Sequence, residues 1–171
     1  MVKQLKRTSG EIIISGTVTE SAAGIYTQNE IDLQLNVLDR EVFVVTAVDL
    51  GIDRPDGLAG IDTTVNGCLS VVNRAAMGSI ANSNVMASGI KAIVAAGFVD
   101  GGVGFSTLSP ETPTGTSLEY IAIISTNNFF AAVQGTGNAA TKNMVFRMWG
   151  YRAVADAGTF AALTQSELLS A

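Results

Sequence analysis

The chain contains no histidine and a single cysteine, Cys68, among its 171 residues. Histidine is the usual general base near neutral pH, so its absence excludes every catalytic or metal site that needs an imidazole. A lone cysteine cannot form a disulfide within the chain, and we interpret Cys68 as a small buried hydrophobic residue. We therefore predict that the protein is not an enzyme and has no catalytic, cofactor-binding or metal-binding residues.

Charged residues are also scarce, at 15% of the chain against 47% hydrophobic residues, and the mean hydropathy is +0.35. Soluble domains average about 25% charged residues. The longest apolar run, residues 93–99, is far shorter than the roughly 20 residues of a membrane-spanning helix, so a bilayer does not explain the low charge. We expect no membrane span, and we expect other subunits to cover much of the surface.

The first nine residues have no apolar core of the kind that secretory signals carry. They contain three of the ten basic residues of the chain, Lys3, Lys6 and Arg7, ahead of a body with 15 acidic residues. Such a basic arm predicts a weak, salt-sensitive contact with nucleic acid, and the alternative is a frayed, solvated terminus. In both cases we expect residues 1–9 to be loosely held.

Strand patterns separated by turn residues recur along most of the chain. In residues 30–37, apolar and polar side chains alternate, which predicts a half-buried strand. Its core-facing residues would be Ile31, Leu33, Leu35 and Val37. Residues 41–48 are apolar on both faces, so this strand must be covered on both sides, by a second sheet or by a neighbouring subunit.

Further strands are predicted at residues 11–20, 69–72, 90–99, 118–124, 129–133 and 144–151. Residues 49–60 and 106–117 are rich in Asp, Pro and Gly and are predicted to be loops, whereas residues 75–89 fit a loop or a short helix. Asp156 is placed to cap a closing helix over residues 157–169.

About eight strands without β-α-β alternation predict an all-β fold, an antiparallel β-sandwich of the single jelly-roll type with a short C-terminal helix. The expected organisation is a basic arm at 1–9, a sandwich domain at 10–155 and a helical tail at 156–171.

Several groups of residues are candidate chemical sites. Glycines at 101, 102 and 104 lack the lysine of a phosphate-binding loop, and they are interpreted as turn residues together with Gly135 and Gly137. Paired-carboxylate chemistry would need two acidic side chains across a cleft, and nothing in the sequence brings any two of the candidates together. Those candidates are Glu30, Asp32, Glu41 and Glu119.

Four aspartates in one glycine-rich stretch suggest either turns or a structural calcium ion at a subunit contact. They are Asp49, Asp53, Asp56 and Asp62, and the first interpretation is favoured because their spacing does not match an EF-hand. Trp149 and Tyr151 fall on one face of a predicted strand. They are interpreted as core or interface anchors, the alternative being a surface that stacks a sugar or a base.

Three segments carry a resemblance to a known family: residues 39–49 (DREVFVVTAVD), the Thr-, Asn- and Gly-rich middle of the chain, and residues 148–155 (MWGYRAVA) followed by a short Ala- and Leu-rich tail. In texture and size the chain resembles small jelly-roll capsid proteins of icosahedral viruses. The resemblance implies a shell-forming subunit whose partners are copies of itself and other capsid proteins, located in a virion that is assembled inside the host cell. The short basic arm differs from the long basic arms of many RNA-virus shells.

The leading hypothesis is therefore a structural assembly protein, a major capsid subunit of an icosahedral shell. Residues 41–48, 49–60 and 106–117 are the candidate subunit contacts. The alternative is a carbohydrate-binding or adhesin-type β-sandwich with Trp149 or Tyr151 at its site. A β-sandwich glycosidase or lyase ranks third.

Overall fold

A computed structural model describes residues 5–95, 105–110 and 118–170, and for residues 105–110 it describes the backbone alone. This part of the chain holds ten strands, a 3₁₀ turn at Val37–Asp39 and one helix. All strand pairs are antiparallel. The elements are β1 (Leu5–Arg7), β2 (Ile12–Thr19), β3 (Thr27–Asp32), β4 (Glu41–Ile52), β5 (Thr63–Ser70), β6 (Val85–Val94), β7 (Phe105–Pro110), β8 (Ala122–Ile124), β9 (Asn128–Thr136), β10 (Asn143–Ala155) and α1 (Ala157–Leu169).

The strands form two sheets whose order is that of a jelly roll. Sheet A has the order β1-β10-β4-β8, with β2 pairing along the same edge of β10 as β1, and sheet B has the order β3-β9-β5-β6-β7. Without the added strands β1 and β7, eight strands remain in four nested pairs: β2 with β10, β3 with β9, β4 with β8, and β5 with β6. This nesting confirms the predicted single jelly roll.

The core lies between the two sheets and is filled from both of them. On β10, Met144, Phe146 and Met148 share the face opposite to that of Trp149 and Tyr151, and they point inward and are buried. The ring of Phe146 meets that of Phe129 from sheet B edge-to-face, with 5.8 Å between the ring centroids. Such an edge-to-face contact is a preferred aromatic geometry, and it links the sheets at the centre of the core.

A β-bulge in β4 changes which residues of that strand face the core. Trp149 lies opposite Ala47, but the next residue of β10, Gly150, lies opposite Val45, so Thr46 is an extra residue without a partner. An extra residue reverses the alternation of the strand. The inward residues are therefore odd-numbered before the bulge, as at Val45, and even-numbered after it. The inward residues after the bulge are Val48, Leu50 and Ile52.

The outer face of sheet A is partly covered by α1. Val42, Val44, Ala153 and Ala155 are buried there, packed against apolar side chains that include Phe160 of the helix. At Val42 and Val44 the second apolar face of residues 41–48 is thus covered by the chain's own C-terminal helix, a cover that was not among the expected ones, a second sheet or a neighbouring subunit.

The helix itself agrees with its prediction. It spans Ala157–Leu169, and the Oδ1 atom of Asp156 accepts the backbone N–H of Thr159 at 2.8 Å, as expected of an N-cap. The hydroxyl of Thr159 also donates to Asp156, to Oδ2 at 3.0 Å. The hydrogen bonds from the backbone and the hydroxyl of Thr159 hold the pKa of Asp156 below its ordinary value.

Other predicted elements need correction. Of the residues predicted to face the core in 30–37, Leu33 and Leu35 are buried and Ile31 packs against the core, but Val37 is 46% exposed in the 3₁₀ turn because β3 ends at Asp32. Within residues 106–117, predicted to be a loop, β7 continues to Pro110, and residues 111–117 lie outside the described residues. Residues 75–84 are irregular, and β6 begins at Val85.

The expected loose arm is also wrong for its described residues. Leu5–Arg7 form β1, in which Leu5 pairs with Ala155 of β10. The backbone N–H of Thr8 donates to the carbonyl of Arg152 at 2.9 Å, and the N–H of Arg152 donates to Ser9 Oγ at 2.8 Å. Residues 5–7 are thus part of sheet A, Thr8 and Ser9 are hydrogen-bonded to it, and Lys3 lies outside the described residues.

Candidate functional site

The part of the outer face of sheet A that α1 leaves uncovered is the best-formed candidate surface of the described chain. Nine outward-facing positions form three rows across β2, β10 and β4. We call this surface the open face, and its rows are Ile13–Trp149–Ala47, Ser15–Arg147–Asp49 and Thr17–Val145–Gly51.

The open face is shallow and has a large apolar component. Ile13 is 59% exposed and Val145 is 49% exposed, values that are high for β-branched hydrophobic residues on a strand. Gly51 adds no side chain beside Val145, and a broad groove of about 560 Å³ runs over this part of the sheet. An exposed apolar surface with a polar centre is typical of contact sites rather than of enclosed catalytic pockets.

The polar centre of the open face has one charge of each sign. The guanidinium of Arg147 stands 5.9 Å from the ring centroid of Trp149, and its Nε donates to Ser15 Oγ at 3.4 Å. Asp49 lies directly opposite Arg147 across the strand pair and is exposed. The face is therefore neutral overall, although the chain carries a net charge of −5.

The two aromatic residues singled out in the sequence do lie on the same side of sheet A. Trp149 is half-buried in the open face under Arg147, and Tyr151 lies at the border with α1, with the guanidinium of Arg7 4.3 Å from its ring centroid. Tyr151 also packs against the cluster beneath the helix. Each ring thus has an arginine beside it, a favourable cation–π arrangement.

Three of the four aspartates considered for calcium bind parts of their own chain instead. Asp53 Oδ2 accepts the backbone N–H of Asn143 at 2.9 Å, Asp62 Oδ1 accepts that of Ala95 at 2.7 Å, and Asp56 pairs with Lys142 at 2.5 Å. The fourth, Asp49, is on the open face. In residues 5–95, 105–110 and 118–170, no three His, Cys, Asp or Glu side chains come together in a group that could hold a metal ion.

The pair formed by Asp56 and Lys142 belongs to a network that joins the loops at one end of the sandwich. Asp56 Oδ2 also accepts the N–H groups of Ala139 at 2.9 Å and Ala140 at 3.3 Å. The hydrogen bond from Lys142, together with these two amides, holds the pKa of Asp56 below its ordinary value. The loop between β4 and β5 is thereby attached to the loop between β9 and β10.

Glu20 completes this network and was missed in the sequence, where it resembles the solvated end of a strand. Its carboxylate is buried and accepts the backbone N–H groups of Gly135 at 2.6 Å and Lys142 at 2.8 Å. Because Glu20 and Lys142 are 122 positions apart, no local pattern could have shown the contact.

Three of the remaining acidic candidates bond to groups of their own chain. Glu30 Oε1 accepts the Asn128 side-chain amide, Asp32 Oδ1 accepts the N–H of Gln34, and Glu41 pairs with Arg152 at 3.0 Å. Glu119 is exposed between β7 and β8.

Of the other small or reactive residues, Gly137 has a φ of 74° and serves as a turn residue, as expected. The same expectation is wrong for Gly135, which lies within β9 and pairs with Val65. The glycines at 101, 102 and 104 lie outside the described residues. Cys68 is buried, as expected, and burial raises the pKa of its thiol. A thiol in that state is a poor nucleophile.

The described part of the chain has no helix of the length and apolar character that crossing a membrane requires. Known protein families give no further guide to function. No family model matches the chain, and no curated protein matches it.

Proposed function

We propose that this protein is a structural subunit that assembles with copies of itself, as the major capsid subunit of an icosahedral viral shell. The observation that carries the proposal is the open face, an uncovered, shallow and neutral surface on a jelly-roll sandwich. Exposed Ile13 and Val145 make the burial of this surface favourable, at roughly 25 cal/mol for each Å² of apolar area removed from water.

The jelly roll supports the proposal but does not carry it alone. Viral capsid domains and lectin domains both use this fold, and a fold by itself does not define a function. What distinguishes the two classes is the surface that each needs. A shell subunit needs broad contact areas on several sides, whereas a lectin needs a site that presents an aromatic face and polar groups to a sugar.

Further exposed apolar residues favour contacts on several sides. Leu38 is 95% exposed in the 3₁₀ turn, Ile80 is 62% exposed in the connection before β6, and Leu118 is 51% exposed before β8. They belong to three different connections, so together with the open face they provide apolar positions in several parts of the molecule.

The aromatic residues disfavour the carbohydrate-binding alternative. A sugar stacks on a free aromatic face, but Arg147 lies beside the ring of Trp149 and Arg7 beside that of Tyr151. A sugar would have to displace an arginine at either position. Aromatic residues that are half-buried beside arginines are instead common in the contact areas of proteins.

Light scattering coupled to size-exclusion chromatography, with electron microscopy of the eluted protein, tests the proposal. We expect closed particles far larger than one chain. The Val145→Asp variant should remain folded but lose the particles, because it places a charge in the open face. The control Gln165→Asp, at an exposed position of α1, should retain them. A wild-type protein that stays monomeric at high concentration would refute the assembly function. A monomer that binds on a glycan array would support the carbohydrate-binding alternative.

A further inference from the structure

Strand β2 forms an edge of sheet A. Among the described residues it pairs with β10 alone, over eight positions from Ile12 to Thr19. In an antiparallel strand with one neighbour, half of the backbone N–H and C=O groups point away from the sheet. The free side of β2 is therefore a row of hydrogen-bonding groups that another strand could use.

This edge lacks the features that usually protect edge strands, which are short length, charged side chains and proline. Its sequence, IIISGTVT, has no charged residue and no proline over eight residues. The strand at the opposite edge of sheet A, β8, has only three residues. In sheet B, edge strand β3 carries Glu30 and Asp32, and β7 ends in Pro110.

Within the described part of the chain, the helix also does not cover β2. Helix α1 packs over Val42 and Val44 of β4 and over Ala153 and Ala155 of β10. Ala153 and Ala155 lie beyond Gly150, where the pairing of β10 with β2 ends, and they pair with β1 instead. A strand added in the plane of sheet A would therefore not meet the helix. It would instead extend the open face, whose outermost row on β2 is Ile13, Ser15 and Thr17.

We infer that β2 pairs with β2 of a second copy of this chain, antiparallel and across a two-fold axis perpendicular to sheet A. The inference rests on the proposed function, since it names one contact of the assembly. A two-fold axis of this kind brings a strand alongside itself in the antiparallel direction, so a single uncharged strand supplies both sides of the contact. The two copies of sheet A would then form one continuous sheet.

The sequence of β2 suits a register centred on Ser15. With Ser15 opposite its own copy, Ile13 lies opposite Thr17 on the outer face, and Ile14 lies opposite Gly16 on the inner face. Each pair keeps its side chains on a common face of the sheet, as pleating requires. The bulky Ile14 meets a glycine, and within Ile12–Thr19 no charged residue faces another, which would destabilise the pair.

The first test introduces like charges at the centre of the contact. Ser15→Lys places two lysines opposite each other across the axis, close to Arg147 of each copy, so light scattering should show loss of the assembly. The matched control is Asn29→Lys, at an exposed position of the sheet B edge strand β3, which carries Glu30 and Asp32. It should assemble as the wild type does, and thermal unfolding should show that both variants are folded.

The second test detects the contact between the two β2 strands directly and does not depend on disrupting the assembly. In an antiparallel pair, opposite Cα atoms are about 4.5–5.5 Å apart, within the range that a disulfide spans. The assembled Ser15→Cys variant should form a covalent dimer under mild oxidation, seen on a non-reducing gel. The Asn29→Cys variant and the wild type, with its buried Cys68, should not.

These outcomes separate the two proposals. A monomeric wild type refutes the assembly function and this inference with it. If the wild type assembles, either of two results refutes only the pairing of β2. One is a Ser15→Lys variant that assembles equally well, and the other is a Ser15→Cys variant that gives no covalent dimer. Loss of assembly in Ser15→Lys together with a Ser15→Cys dimer supports it.

Discussion

The carboxylate of Glu167 accepts the backbone N–H of Ser125 at 2.7 Å, and its second oxygen accepts that of Thr126 at 3.0 Å. Glu167 lies near the end of α1 and is only 7% exposed, whereas Ser125 and Thr126 form the turn between β8 and β9. One buried side chain thus joins the C-terminal helix to the sandwich. Near it, the side-chain amide of Asn84 donates to the carbonyl of Ser170 at 2.6 Å.

Replacing Glu167 by Ala should loosen this attachment. The variant would leave the buried N–H of Ser125 without an acceptor, so we expect the free energy of unfolding to fall by about 2–4 kcal/mol. Gln165→Ala, at an exposed position of the same helix, should change it by less than about 0.5 kcal/mol. Denaturant unfolding measures both, and equal effects of the two substitutions would contradict the role given to Glu167.

The helix shows what the sequence could and could not predict. Its cap, Asp156, and its bounds follow from local rules, because N-cap preference and helix propensity act within a few residues. The role of Glu167 does not, since its partners lie more than 40 positions away. A glutamate near the polar end of a short helix is normally exposed. Glu167 is buried only because α1 packs on sheet A.

Deleting residues 1–9 should lower stability. The deletion removes β1, the backbone bond from Thr8 to Arg152 and the contact of Arg7 with the ring of Tyr151. We expect the thermal midpoint to fall by several degrees, as a loss of about 1–2 kcal/mol produces in a domain of this size. Lys6→Ala, at an exposed position of the same strand, should leave it unchanged. An unchanged midpoint for the deletion would mean that the segment is as loosely held as its composition suggests.

Gly150→Ala should strongly destabilise sheet A. A Cβ atom at this position would lie 2.3 Å from the carbonyl oxygen of Val44 and 2.4 Å from the ring of Phe43, and the backbone oxygen cannot move without disturbing the pairing at the bulge. We expect a loss of about 2–3 kcal/mol or more in denaturant unfolding. The control, Gly10→Ala, has no atom within 4 Å of the added carbon and should be close to neutral. Similar stabilities of the two variants would contradict the close approach.

Features that depend on contacts between distant strands were beyond prediction. The placement of Trp149 and Tyr151 on one face of a strand depends on local alternation and was predicted correctly. The bulge at Thr46 was not, because it is defined only by the register between β4 and β10, about 100 positions apart. The same holds for the open face, since its three rows combine residues of β2, β4 and β10.

The ion pair at the loop end of the sandwich should make stability depend on pH through Asp56. Its pKa is held below the ordinary value of 3.8 by Lys142 and by the amides of Ala139 and Ala140. A carboxyl group whose folded-state pKa is lowered stabilises the fold above its unfolded-state pKa, and this contribution is lost as the pH falls through the folded-state value. The wild type should therefore have a higher thermal midpoint than Asp56→Asn at neutral pH, by a margin that shrinks below about pH 4.

Thermal unfolding followed by circular dichroism between about pH 3 and pH 7 measures this margin. Because the wild type and the variant are compared at the same pH, the effect of the other carboxyl groups is removed. The control is Glu11→Gln, because Glu11 is an exposed carboxylate outside the open face, ahead of β2. Its midpoint should follow that of the wild type throughout the range. A margin between the wild type and Asp56→Asn that stays constant down to the lowest pH would show that the ionised form of Asp56 does not stabilise the loops.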